Sequence, residues 1–119
     1  MRIHPALPQR VSRAILPLAA LSLICIMPQA HAGKVLSGSL NTASGRDAVV
    51  VSGGENTASG GNSVVVGGVK NTASGPKSIV VAGRGNKAEG ANASILSGLG
   101  NTAGGSGSSV LTGNVNNSS

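Results

Sequence analysis

The chain has 119 residues, of which 19 are glycine and none is aromatic, and it carries a formal net charge of +6. This length allows one domain at most. The single cysteine excludes a disulfide framework and a cysteine-based metal site within one chain. Any fold must therefore be built from small, aliphatic and polar side chains.

The first 32 residues have the three-part order of a secretory signal peptide. Three arginines precede an apolar run over residues 14–27, and Ala-His-Ala at residues 30–32 forms a small-x-small cleavage site. A membrane-spanning helix would need about 20 apolar residues, which is longer than this run. We therefore predict that residues 1–32 are a cleaved signal peptide, and that the exported remainder has no membrane span.

Cleavage would change the chemistry of the chain. From residue 33 onward there is no cysteine, histidine, methionine or aromatic residue, and six cations outnumber three carboxylates to give a net charge of +3. The cations are Lys34, Arg46, Lys70, Lys77, Arg84 and Lys87, and the carboxylates are Asp47, Glu55 and Glu89. Nucleic-acid binding usually needs clustered cations and aromatic stacking platforms, so we do not expect it. Without a histidine or cysteine to serve as base or nucleophile, we predict no enzymatic activity, cofactor or metal.

A 15-residue repeat organises the exported part. The segment Asn-Thr-Ala-Ser-Gly at residues 41–45 returns at 56–60 and 71–75 and, altered, at 86–90 and 101–105. Numbered from its asparagine, each copy has alanine at position three and glycine at position five. Aliphatic residues follow at positions ten and eleven, and glycine closes the copy at position thirteen. A fixed short period of this kind indicates a repeat architecture.

Each copy contains two short segments that end at glycines, which predicts two strands and two turns per repeat. β-Branched residues favour strands, and several glycines per copy disfavour a helix. We therefore predict an all-β parallel solenoid of about five 15-residue coils over residues 33–115, followed by a polar tail at 116–119. The predicted turn glycines are Gly45, Gly53, Gly60, Gly68, Gly75, Gly83, Gly90, Gly98, Gly105 and Gly113.

The aliphatic columns predict where the core lies. Positions ten and eleven are adjacent, and adjacent residues of a strand face opposite sides. One side can pack on the alanines of position three, and the other needs a second copy of the chain. The predicted core is Val50, Val51, Val65, Val66, Val80, Val81, Ile95, Leu96, Val110 and Leu111 with Ala43, Ala58, Ala73, Ala88 and Ala103.

Residues 62–68, Asn-Ser-Val-Val-Val-Gly-Gly between two Asn-Thr-Ala-Ser-Gly units, resemble the head repeats of YadA-like trimeric autotransporter adhesins. The resemblance covers residues 35–115 and implies a left-handed parallel β-roll that forms a homotrimer on the bacterial outer membrane. It also implies cell adhesion, virulence and a matrix or cell-surface ligand. The family usually has a small residue where Val65 stands, and the heptads and barrel strands of its stalk and anchor are missing from this sequence. The resemblance therefore bears on the fold more than on the anchoring.

We predict from these features an exported, non-enzymatic adhesin head, secreted or held at the cell surface. The candidate ligand contacts are Thr42, Thr57 and Thr72 of a threonine column, with Lys70 and Arg84 of the variable turns. One alternative is a structural fibre segment or the remnant of a longer adhesin, with no ligand of its own. A second is an ice-binding protein using the threonine column, or an amyloid-like protein using the strand-prone segments 49–51 and 79–81.

Overall fold

The computed structural model describes residues 32–119, which form one compact unit. The predicted signal peptide lies outside these residues, apart from its last residue. Within the described range the chain is all-β and contains no helix. Its strands are β1 (Lys34–Val35), β2 (Thr42–Ala43), β3 (Val49–Val50), β4 (Thr57–Ala58), β5 (Val64–Val65), β6 (Thr72–Ala73), β7 (Ile79–Val80), β8 (Lys87–Ala88), β9 (Ser94–Ile95), β10 (Thr102–Ala103), β11 (Ser109–Val110) and β12 (Asn117–Ser118).

The strands stack in two parallel six-stranded sheets. The odd-numbered strands β1 to β11 follow one another in one sheet, and the even-numbered strands β2 to β12 do so in the other. Each residue pairs with the residue one repeat later, as in Val50 with Val65 and Ala58 with Ala73. The predicted parallel β-solenoid with two strands per coil is confirmed.

The solenoid has about six turns, one more than predicted, because partial repeats at both ends join the stack. At the start, β1 pairs with β3. At the end, β12 pairs with β10, so residues 116–119 continue the solenoid and are not a separate tail. A third ladder of single bridges runs through position fourteen and joins Gly54 to Val69 and Val69 to Arg84.

The core lies between the two sheets and is built from three inward-facing columns. Position ten supplies Val50, Val65, Val80, Ile95 and Val110, position three supplies Ala58, Ala73, Ala88 and Ala103, and position eight adds Ala48 and Ala93. Ala43 is partly buried and packs against this cluster. Position ten and position three are thus buried as predicted, with the small alanines opposite the bulkier valines.

Positions ten and eleven were both predicted to be core, one of them against a second copy of the chain, and in the single chain position eleven is not buried. Val51, Val66, Val81, Leu96 and Leu111 are absent from the core cluster, and their burial ranges from intermediate to exposed. The physical reason is strand alternation, since the residue after an inward-facing valine must face outward. The aliphatic pair at positions ten and eleven therefore divides between the inside and the outside of the coil.

The glycines of positions thirteen and five serve different purposes. Position thirteen has a left-handed backbone, with φ of 98° at Gly53 and 90° at Gly68, as a tight turn requires. The glycines of position five do not have a positive φ. Glycine is required there because the next coil leaves no room for a Cβ atom. A Cβ atom at Gly60 would collide with the backbone carbonyl of Gly75 in the next coil. Both columns were predicted as turn glycines, but only position thirteen needs glycine for its dihedral angle.

Two further left-handed columns, at positions seven and fifteen, were not predicted. Position seven has φ of 53° at Asp47 and 58° at Asn62, residue types that tolerate this region. Position fifteen places Lys70 at 57° and Val115 at 54°, where a branched side chain is strained. Each coil therefore turns through three left-handed residues, and only the position-thirteen column is glycine in every copy.

Candidate functional site

A buried asparagine ladder fixes the corner of the coil at positions twelve to fifteen. The Nδ2 group of Asn71 donates hydrogen bonds to the carbonyl oxygens of Gly67 and Gly83, each at 3.0 Å. Its Oδ1 atom accepts a hydrogen bond from the backbone N–H of Asn86 at 3.0 Å. The side chains of Asn56, Asn71, Asn86 and Asn101 are fully buried. The ladder joins each coil to the next at this corner through the same set of hydrogen bonds.

The ladder was missed at the sequence level, where asparagine served only to mark the period. The available signal was its presence at position one of every copy, next to a glycine turn. A buried amide is retained only where its donors and acceptor all find partners. Asparagine at every position one, beside a corner rich in backbone carbonyls, was compatible with such a ladder.

The outer surface of the odd-numbered sheet is apolar. We name the following residues of positions nine and eleven the valine face: Leu36, Val49, Val51, Val64, Val66, Ile79, Val81, Leu96 and Leu111. The exposed fraction is 40% at Val66, 39% at Ile79 and 45% at Leu96. Contiguous exposed aliphatic surface is uncommon on soluble monomers and marks an interaction site. The valine face is therefore the surface of the single chain whose exposure to water is least favourable.

The valine face changes composition along the stack. Three full coils carry an aliphatic residue at both outward positions, as in Val64 and Val66. In the last two, position nine becomes Ser94 and Ser109 while position eleven becomes leucine. A smaller residue in one column is thus accompanied by a larger one in the other. The apolar column at position eleven continues through every coil.

The outer surface of the even-numbered sheet is lined with hydroxyl groups. We name the outward residues of positions two and four the hydroxyl face: Thr42, Ser44, Thr57, Ser59, Thr72, Ser74 and Thr102. In-register pairing places Thr57 directly between Thr42 and Thr72. Lys87 and Glu89 interrupt the face in the fourth copy, where Lys87 pairs with Thr72. The three predicted threonine contacts therefore lie on one surface, and the lysine that breaks the column lies on it too.

The other two predicted contacts, Lys70 and Arg84, lie on the corner next to the hydroxyl face. Arg84 is bridged to Val69, the residue before Lys70, so the two cations occupy neighbouring coils. The Nζ atom of Lys70 lies 3.8 Å from the Oε2 atom of Glu55, and the two side chains are 62% and 50% exposed. An ion pair this exposed contributes little to stability. The three predicted threonine contacts thus lie on the hydroxyl face, and the two predicted cations lie on the corner next to it.

The described residues contain no cluster of metal-ligating side chains. Among residues 32–119 there is no group of three or more histidine, cysteine, aspartate or glutamate side chains close enough to hold a metal ion. The same range has no helix with the length and hydropathy needed to cross a membrane. The absence of enzymatic activity stays a prediction.

The fold and its two contrasting faces define a parallel β-solenoid repeat protein. Comparison with family models, with curated proteins and with solved structures finds no match to this chain. The function must therefore be argued from its surfaces.

Proposed function

We propose that the chain is an exported adhesin head that associates with copies of itself through the valine face and presents the hydroxyl face outward. The observation that carries this proposal is the exposed aliphatic surface of the odd-numbered sheet. Leu111 is 72% exposed and Leu36 is 59% exposed, although both lie in a column that is apolar in every coil. Burial of this column against other copies would remove it from water.

The partner that fits the valine face is a second copy of the same chain. The face is a regular array of parallel strands with one spacing, so an identical array matches it coil for coil. The resemblance to YadA-like heads adds the number of copies, which we propose is three. A homotrimer would place the apolar faces around one axis and leave the hydroxyl faces on the outside.

Attachment to other surfaces follows from this arrangement. Three copies would present three hydroxyl faces, and weak contacts repeated on one particle bind with avidity. The ligand we propose is a component of the extracellular matrix or of another cell surface. Export through the N-terminal segment and display at a bacterial surface are parts of the same proposal.

The first test is the size of the protein in solution. Light scattering on the chain secreted with its own N-terminal segment should give three times the mass of one chain. Exchange of Val66 for Asp places a charge on the valine face and should yield a folded monomer. A folded monomer without any substitution would contradict the proposed self-association.

The second test is attachment. The secreted chain should be retained on a surface coated with basement-membrane extract, and the Val66→Asp monomer should be retained less because avidity is lost. Equal retention of both forms would contradict binding through multiple faces. Loss of all retention with a normal trimer would favour the structural fibre segment, which the uninterrupted strand register also suits.

A further inference from the structure

Coil stacking gathers three of the six cations of residues 33–119 at one place. Lys70 and Arg84 are 14 residues apart, and Lys87 pairs with Thr72, two positions after Lys70. Because successive coils are about 4.8 Å apart, the Cα atoms of Lys70 and Arg84 are separated by roughly 6 Å. We name Lys70, Arg84 and Lys87 the basic corner.

The charges of the basic corner are exposed and only partly neutralised. Arg84 and Lys87 are both exposed, and neither forms a salt bridge with another residue in the range 32–119. Lys70 has its weak contact with Glu55 on the coil before it. Glu89 lies two positions beyond Lys87, on the hydroxyl face. Arg84 and Lys87 are therefore the two cations of this corner with no salt-bridge partner in the described part of the chain.

Hydroxyl groups border this corner on one side. Thr72 is paired with Lys87 in the neighbouring coil, and Ser74 follows on the same outward side. Hydroxyls donate and accept hydrogen bonds, as the hydroxyls of sugars do. The guanidinium group of Arg84 has the planar fork that binds a carboxylate through two parallel hydrogen bonds. The cations of the corner thus adjoin the hydroxyls of the even-numbered sheet, and Lys87 lies on that sheet itself.

We propose that the basic corner and the adjoining hydroxyl face bind an anionic polysaccharide whose carboxylates are spaced by neutral sugars. The carboxylate of such a chain would meet Arg84 and Lys87, and the neutral sugars would lie over the threonines and serines. This inference rests on the proposed function as an adhesin head and names its ligand class. The extended face suits a chain-like ligand, since the hydroxyls of positions two and four return in each of the first three copies.

The same charge pattern argues against a densely charged polymer. Glu55 and Glu89 flank the cations, so a polymer with a phosphate on every unit would also meet repulsion. The chain from residue 33 onward has no aromatic side chain on which bases could stack. Nucleic acid is therefore the less favoured partner, and it is included in the test.

The test measures binding of a hyaluronan oligosaccharide to the secreted chain at low ionic strength. The corner variant is Arg84→Asn with Lys87→Thr, which introduces residues already present at these positions in other copies, Asn114 and Thr102. The fold should therefore be unchanged by circular dichroism. We expect the corner variant to bind about tenfold more weakly, from the loss of two exposed charge contacts.

A matched control removes two cations from the other corner. Arg46→Ser with Lys77→Asn has the same net charge as the corner variant, and Ser106 and Asn62 already occupy these positions in other copies. The control should bind hyaluronan as the unchanged chain does. Equal weakening in both variants, equal binding of neutral dextran, or equal binding of single-stranded DNA would overturn the inference.

Failure of this inference can be told apart from failure of the proposed function. If the secreted chain is a trimer and is retained on basement-membrane extract but ignores hyaluronan, only the ligand class is wrong. If it binds hyaluronan as a monomer, the ligand class stands and the self-association is wrong.

Discussion

Val65 and Val66 are neighbours in sequence and lie on opposite sides of the coil wall. Val65 is fully buried against the alanines of the chain itself, while Val66 is 40% exposed on the valine face. The two residues have the same side chain, and they differ only in the direction that strand alternation imposes. The pair therefore divides the interior of the chain from its outer surface.

Charge substitutions at these two positions should have different consequences. Val65→Asp buries a carboxylate without a partner and should lower the free energy of unfolding by at least about 3 kcal/mol, with loss of β-type circular dichroism. Val66→Asp should preserve the circular dichroism spectrum and change only the mass in solution. Urea unfolding combined with light scattering measures both effects. Unfolding of both variants to the same degree would mean that position eleven is required within the single chain.

Removal of one rung of the asparagine ladder should destabilise the whole stack. Asn71→Ala leaves the carbonyls of Gly67 and Gly83 and the N–H of Asn86 without their side-chain partner. At about 1 to 3 kcal/mol for a buried group left unsatisfied, we expect a loss of at least 2 kcal/mol in the free energy of unfolding. The exposed Asn62, in a left-handed turn, provides the control, because Asn62→Gly should leave stability within about 0.5 kcal/mol of the starting value. Equal stabilities in thermal unfolding would show that the ladder does not bear on folding.

Two adjacent glycines should respond in opposite directions to alanine. A Cβ at Gly60 would meet the backbone of Gly75 in the next coil. Gly60→Ala should therefore force neighbouring coils apart and lower the free energy of unfolding by about 2 kcal/mol or more. A Cβ at Gly61 meets nothing within 4 Å, and alanine already stands at this position as Ala91. Gly61→Ala should raise stability by about 0.4 to 1 kcal/mol through the entropy of the unfolded chain. Chemical denaturation of the pair gives the comparison, and a stable Gly60→Ala variant would mean that the coils can separate without cost.

Two buried serines offer a route to a more stable protein. The hydroxyl oxygens of Ser63 and Ser78 are buried and have no hydrogen-bond partner, whereas the same position holds Ala48 and Ala93 in other copies. Ser63→Ala and Ser78→Ala should each raise the free energy of unfolding by about 1 kcal/mol, because an unsatisfied polar group leaves the core. The exposed Ser59 is the control, and Ser59→Ala should change stability little. A loss of stability on Ser63→Ala would show that its hydroxyl forms a bond in solution.

The 15-residue period of the sequence predicted most of the fold. Ala58 and Val65 could be placed in the core because alanine and a β-branched residue return every 15 residues, and parallel register then follows. Val66 was placed in the core as well, since two adjacent aliphatic columns predict burial on both faces of the strand, and only the fold shows that the second column faces out of the single chain. Gly60 was recognised as required, but its reason is the close approach of the next coil, which a linear pattern does not show.

The candidate site depended more on register than on residue type. Arg84 and Lys87 follow Lys70 by 14 and 17 residues in the sequence. Only the stacking of coils makes the three cations neighbours. Asn71 was overlooked because a polar residue in a glycine-rich segment is typical of a surface turn, whereas here it is fully buried. Both the basic corner and the buried asparagine depend on how the coils stack, which the linear sequence does not show.

The asparagine ladder also restricts how such a protein can change in length. Each Oδ1 atom is bonded to the backbone of the asparagine 15 residues later, as Asn56 is to Asn71 at 2.9 Å. Duplication or deletion of one complete coil leaves every such bond intact, whereas a shift of one or two residues would misalign the asparagines and both sheets together. The protein can therefore grow or shrink only in whole modules, each about 4.8 Å in height.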